Sequence, residues 1–429
     1  MYRYRFSLLL LIVVATLAAV TAVRAQEVED TIRIKTRVVF LDALVKDKKT
    51  NLPISNLTQQ NFQVLDDGKP RDITYFSREG EARKPLALVL ILDLREDGAG
   101  RFLKEAEILK SMENELAKLP PGDEVAILAM NFAEDEQRAW LTEFTNDRAK
   151  IAAALAQVRE ICLQNEARRA ANEAAKEAAT QSNNEVAKPA DKADAQSAAP
   201  SESKKKEVVA TETNKGRSGA VVTRKTMSDG SVDVTRVSKN GKMTIELGEV
   251  YDMAAAVRDA TRKAQELRPN SQMSLVWVSD GIAPIFYEDR DATEQIITRD
   301  NVIFNSLTVE LRTLFKFLLP IGKPIAGWMG MSLYGSAKQL AQQSGGEAVK
   351  VGRVKDYGAG LSRIIGNLTA RYSLGFTLAE NETDDGRLHH LEVRVTAPDD
   401  KGKKRKLLVS SRQGYYMATS TKDVRARAQ

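Results

Sequence analysis

Residues 86–92 are seven consecutive apolar side chains, Leu86-Ala87-Leu88-Val89-Leu90-Ile91-Leu92, introduced by Pro85 and ended by Asp93. A run this dense suits a strand covered on both faces, as strands of a parallel sheet are. Two further runs follow the same rule. Residues 125–130 read as a second buried strand, and residues 273–278 as a third, ending in Ser279-Asp280-Gly281. Helical periodicity fills the intervals at 102–119, stopped by Pro120 and Pro121, at 148–156 and at 250–267. Strands alternating with helices specify an α/β fold, a mostly parallel sheet with helices on both faces.

The remainder of the 429 residues divides by composition. Arg3 and Arg5 precede an apolar run at 8–20, and the small residues Val23 and Ala25 suit cleavage before Gln26. Residues 1–25 are therefore read as a signal peptide, which makes the chain exported, periplasmic or secreted. An uncleaved anchor is the alternative, although the run is shorter than the ~20 residues of a membrane span. A single cysteine in an exported chain points to a bacterial envelope rather than a disulfide-built secreted domain. The formal charge of +6 falls to +3 without the leader, which holds three arginines and no acid, so charge gives no reason to expect a nucleic-acid partner.

Residues 26–80 form an N-terminal β region, with Ile32, Ile34 and Thr36 alternating with charged residues and Asp66-Asp67-Gly68 marking a turn. The first part of the α/β domain spans 81–167. In 168–207 Val186 is the only large apolar residue, and such a segment cannot build a core. Polar strand patterns at 221–247, separated by Asp229-Gly230 and Asn240-Gly241, read as a β meander returning from that linker, with disorder of the whole insert (168–247) as the alternative. The second part of the α/β domain spans 248–375, and C-terminal strands and a tail occupy 376–429. The basic residues Lys401, Lys403, Lys404, Arg405 and Lys406 sit beside Asp399, Asp400 and Gly402, as in a solvated loop.

Several short motifs occur in order: Leu57-Thr58-Gln59-Gln60-Asn61-Phe62-Gln63-Val64, Asp67-Gly68-Lys69-Pro70, Pro121-Gly122-Asp123-Glu124-Val125-Ala126, Tyr251-Asp252-Met253-Ala254, Ser279-Asp280-Gly281, Leu340-Ala341-Gln342-Gln343-Ser344-Gly345-Gly346, Tyr372-Ser373-Leu374-Gly375-Phe376 and Arg412-Gln413-Gly414-Tyr415-Tyr416. With them the chain resembles the von Willebrand factor A (VWA)-like family, in particular its VWA-related exported bacterial proteins. The resemblance implies a VWA-like, Rossmann-like sheet with a small β region from both chain ends. It also implies a divalent cation at the C-terminal edge of the sheet, held by an Asp-x-Ser-x-Ser loop, a Thr and a further Asp. Asp93 matches the first ligand and Asp280 the last. Arg95 and Asp97 replace the two serines, and the threonine position falls at Gly248 or Glu249. A guanidinium offers no lone pair to a metal. Within ~4 Å of a divalent ion, at an effective dielectric near ~20, it would be repelled by about 8 kcal/mol.

Three arrangements of this edge compete: a degenerate site with Arg95 in the cation's place, a rearranged Mg site using Asp93, Glu96, Asp97 and Asp280, or a solvated Arg95 with the aspartates capping a helix. No catalytic motif stands out. There is no Gly-x-Ser-x-Gly elbow, P-loop or His-Glu-x-x-His, and Gly98-Ala99-Gly100 lacks the third glycine of a dinucleotide loop. The pairs Asp66/Asp67 and Asp384/Asp385 read as solvated turns, Cys162 as a buried small side chain, and the adjacent His389 and His390 as strand residues facing opposite ways. The expectation is a non-enzymatic, adhesion-like interaction module without a cofactor, with a Mg-dependent adhesion domain and an uncharacterised hydrolase as alternatives. Its partner would be an envelope protein. Residues 314–331, which include Phe317, Trp328, Met329 and Met331, are either core or an apolar patch contacting that partner or the membrane surface.

Overall fold

A computed structural model describes residues 37–78, 83–95, 98–130, 138–185, 207–228, 232–239, 241–247, 253–281, 285–309, 327, 329–332, 336–398 and 402–417. Contacts divide the chain after Arg37, and every element below lies in the second unit, Val38–Gln429. The leader read at 1–25 lies outside the described residues. No described helix is long and apolar enough to cross a membrane.

The first strands are β1 (Val38–Asp47), β2 (Phe62–Asp66), β3 (Lys69–Arg71) and β4 (Tyr75–Ser77). They are followed by β5 (Leu86–Asp93), in which all eight residues are buried. Its alternation divides the core: Leu86, Leu88, Leu90 and Leu92 enter one apolar cluster, and Ala87, Val89 and Ile91 enter the other. The helix expected over 102–119 is split into α1 (Gly100–Leu103) and α2 (Ala106–Ala117), because Glu105 takes an extended backbone between them. Ile108, Leu109, Met112 and Leu116 of α2 face the first cluster at helical spacing.

Next come β6 (Glu124–Met130), the antiparallel edge strand β7 (Arg138–Thr145) and α3 (Arg148–Glu185). Ile151, Leu155, Val158 and Cys162 pack α3 on the sheet. The helix then continues through the low-complexity sequence to Glu185, where the described side chains are half-buried or exposed. The insert returns as four strands, β8 (Val208–Lys215), β9 (Val221–Met227), β10 (Val232–Ser238) and β11 (Gly241–Leu247), in the order β11-β10-β9-β8. Hairpins without an apolar face are marginal. This meander has such a face, Val222, Val232 and Val234, and it packs on Phe286.

The sheet is completed by α4 (Met253–Leu267), β12 (Gln272–Ser279), β13 (Ile285–Phe286), α5 (Tyr287–Arg299), β14 (Ile303–Val309), β15 (Met331–Ser332), α6 (Ser336–Ser344), β16 (Ala348–Val351) and α7 (Tyr357–Thr369). Strand order is β16-β14-β12-β5-β6-β7, parallel except for β7. Ala254, Ala256, Ala260 and Ala264 give α4 a small-residue face against the second cluster.

The chain ends in β17 (Tyr372–Thr377), β18 (His389–Val395), β19 (Leu407–Ser411) and β20 (Gly414–Tyr415). With β1 to β4 these make a sandwich of two antiparallel sheets, β19-β1-β17-β4 and β20-β18-β2-β3. Leu41, Val45, Phe62, Val64, Leu374, Phe376 and Val393 fill its core. The boundary expected at 375 falls inside β17, whose Leu374 pairs with Leu41 of β1, so the sandwich begins directly after α7. Gly345 (φ +78°) ends α6 where the sandwich meets the α/β domain: a Cβ there would lie 2.6 Å from the Arg412 amide nitrogen.

Candidate functional site

The strands β5 and β12 are parallel neighbours at the centre of the sheet. From β5 the chain proceeds to β6 on one side, and from β12 to β14 on the other. That reversal is a topological switch point, and in open α/β sheets the crevice beyond the strand C-termini there is where ligands bind. Asp93 ends β5, and Asp280 directly follows β12. The two carboxylates expected from the sequence are thus brought to one edge, and both are buried.

Arg95 is 6% exposed and its guanidinium fills the space between them. Its Nε donates to Asp93 Oδ1 at 2.8 Å and its Nη2 to Asp93 Oδ2 at 2.5 Å, a bidentate pair. Nη2 also lies 3.6 Å from Asp280 Oδ1. The Ser279 hydroxyl donates to Asp93 Oδ2 at 2.9 Å and lies 3.2 Å from Asp280 Oδ1. Arg101, one-third exposed, brings Nη2 to 3.9 Å from Asp280 Oδ2 and sets its guanidinium over the Phe102 ring. Among the described residues of the edge, two carboxylates and two guanidiniums balance.

The loop between β5 and α1 holds Arg95 in place. The Arg95 carbonyl accepts from the Gly98 and Gly100 amides at 3.0 and 2.8 Å. A Cβ at Gly100 would lie 2.4 Å from the Leu94 carbonyl oxygen, so the turn that aims Arg95 inward closes only around glycine. The Tyr357 hydroxyl, at the start of α7, donates to the Ser279 carbonyl at 3.2 Å. Burial, and then the Asp280 and Asp93 charges, raise its pKa. Burial followed by the Asp93 charge pushes the Cys162 thiol up to about 12, so this cysteine stays protonated and unreactive at neutral pH.

A divalent cation does not fit these residues. Both Asp93 oxygens are engaged by Arg95, and a cation bridging Asp93 and Asp280 would lie against the same guanidinium. Glu96 and Asp97, on which the rearranged site depends, and Gly248, Glu249, Phe317 and Trp328 lie outside the described residues. Met329 is half-buried. Met331 is half-buried too; it pairs with Phe286 between β15 and β13 and packs on the meander's apolar cluster, so it belongs to that core and not to an exposed patch.

Two polar clusters escaped the sequence reading. On α5, Glu288, Asp289 and Glu294 are buried and receive arginines from the meander side: Arg236 to Glu288 at 2.9 Å, Arg224 to Asp289 at 2.5 Å and Arg217 to Glu294 at 2.8 Å. The meander is therefore pinned to the segment that leaves the β12 edge. In the sandwich, Asp66 is buried, against the expectation of a solvated turn. The two-residue period puts it on the same inward face as Phe62 and Val64. His389 is buried on the face of Leu391 and Val393, while His390 points outward. Antiparallel pairing of β2 and β18 then brings Asp66, Asp67 and His389 together.

No protein-family model and no curated protein matches the chain. Among solved structures, it is similar to the SpRpn10 VWA domain at 9% identity, covering 66% of this chain and 94% of that one, with a TM-score of 0.28. It is similar to manganese-loaded TRAP of Plasmodium vivax at 9% identity, covering 80% and 98%, with a TM-score of 0.32. To the pilus adhesin SpaC of Lactobacillus rhamnosus GG the identity is 8%, the coverage 85% and 48%, and the TM-score 0.32. These superpositions are loose. The fold is VWA-like on the ground of its own sheet order, its antiparallel edge strand and the two aspartates at the switch point.

Proposed function

We propose that the protein is an exported, non-enzymatic protein-interaction module whose metal-binding edge is degenerate and works without a cation. The observation that carries this reading is the buried bidentate pair of Arg95 with Asp93, closed by Asp280. The fixed guanidinium of Arg95 supplies one of the two positive charges that a divalent ion would bring, and Arg101 beside Asp280 supplies the other, neither by exchange with solvent. What a metal's open coordination position offers, a grip on a partner's carboxylate, passes to Arg101, the partly exposed cation of the same edge. The partner is then an envelope protein presenting an acidic side chain, and export follows from the leader read at residues 1–25.

The test is capture of envelope proteins on immobilised full-length chain, with Arg101→Ala and with EDTA. A charge-assisted hydrogen bond contributes about 1.5–3 kcal/mol, so Arg101→Ala should lower retention of the captured protein by roughly 10- to 100-fold. Its melting temperature should fall by far less than that of Arg95→Ala, because the side chain is one-third exposed and approaches Asp280 only at 3.9 Å. EDTA should change nothing. Capture that survives Arg101→Ala, or that collapses in EDTA and returns with Mg, would overturn the proposal.

A further inference from the structure

In the sandwich, Asp66 is 3% exposed. Its Oδ2 accepts from Arg71 Nε at 3.0 Å, from Arg71 Nη2 at 2.8 Å and from the Tyr415 hydroxyl at 3.1 Å. Its Oδ1 has no hydrogen-bond partner among the described residues. Buried carboxylate oxygens are almost always satisfied, and an orphan of this kind is a strong acceptor aimed at something. It is aimed at the Nδ1 of His389, 3.9 Å away, which in turn lies 3.0 Å from Asp67 Oδ2. One ligand atom from each of Asp66, Asp67 and His389 lies within 4.8 Å of the others.

We propose that Asp66 Oδ1, Asp67 Oδ2 and His389 Nδ1 form a binding site for a divalent transition metal of the zinc class, separate from the sheet edge. An imidazole with two carboxylates suits zinc and its neighbours and disfavours magnesium and calcium. Ligands at about 2.0–2.2 Å from a tetrahedral zinc stand roughly 3.4 Å apart, and the observed 3.0 and 3.9 Å straddle that spacing.

The surroundings are those of a built metal site. His389 Nε2 faces Asp385 Oδ1 at 3.3 Å, the outer carboxylate that fixes the tautomer leaving Nδ1 free to ligate. The Tyr415 ring stacks on the imidazole at 5.1 Å and, with Arg71, holds Asp66 by its other oxygen. Arg387 is the competitor, 3.0 Å from Asp67 Oδ2 and 2.6 Å from Asp385 Oδ2 on a side chain more than half exposed, and a metal would have to displace it from Asp67.

Zinc titration of the tag-free full chain by calorimetry tests this. One zinc per chain is expected. His389→Gln should weaken binding by at least 100-fold, and Asp385→Asn by 10- to 100-fold, as outer-sphere changes do. Arg387→Ala should strengthen it by removing the competing cation, an effect that a merely structural cluster would not produce. Should His389→Gln fail to fold, the opposite signs of Asp385→Asn and Arg387→Ala decide. No stoichiometric zinc binding by the parent chain, or binding that ignores both of these variants, would overturn the site.

Discussion

Arg95→Ala should destabilise the protein by about 3–5 kcal/mol, the usual penalty for removing one partner of a buried ion pair. The reason is what remains: Asp93 and Asp280, both buried, with Ser279 between them and only Arg101, 3.9 Å from Asp280, to balance their charge. At about 2–4 °C per kcal/mol for a domain of this size, the melting temperature should drop by roughly 6–20 °C. Arg95→Lys should recover only part of this, since an ammonium cannot span both Asp93 oxygens as the fork does. Differential scanning calorimetry reads both variants. A loss under about 1 kcal/mol, the range of a surface pair, would mean that Arg95 belongs to a solvated loop.

The second large effect lies where the meander meets α5. Asp289 is fully buried and is held by Arg224 at 2.5 Å and Asn214 at 2.8 Å. Its position in the first turn of α5 lets the helix dipole offset only about 0.3–1 kcal/mol of an unpaired charge. Arg224→Ala should therefore cost about 3–5 kcal/mol, released by undocking of the meander before the central sheet melts. Hydrogen exchange should rise across β8 to β10 while Leu86–Asp93 stays protected. Unchanged exchange in the meander, or loss of protection in both regions together, would show that the meander is not an independently docking unit.

Three of the six strands of the central sheet, β5, β6 and β12, were legible as dense apolar runs, and β5 and β12 lead into Asp93 and Asp280; β7, β14 and β16 interrupt their apolar residues with polar ones and were not read. The edge was legible for the same reason, with the resemblance supplying why an arginine at 95 matters. The meander was half legible. Asn240-Gly241 and the alternating valines point to hairpins, but the apolar face that stabilises them is completed by Phe286 and Met331, distant in sequence. Asp66 and His389 each sit on the inward period of a strand, and that signal was present. Their meeting depends on the register of β2 against β18, in which Leu391 faces Asp66, and no local pattern encodes a long-range register. The buried acids of α5 escaped for a similar reason: alone they read as a solvated helix face, and only the meander's arginines bury them.

The proposed function rests on the Arg95 guanidinium standing between Asp93 and Asp280. The direct measurement is thermal melting of the full chain in millimolar Mg against EDTA. Magnesium at ten times its dissociation constant would add about 1.4 kcal/mol, roughly 3–6 °C. The expected result is no shift, because Arg95 already holds Asp93 and lies against Asp280. A clear upward shift that persists in His389→Gln and disappears in Asp280→Asn would place a metal at this edge and contradict the account.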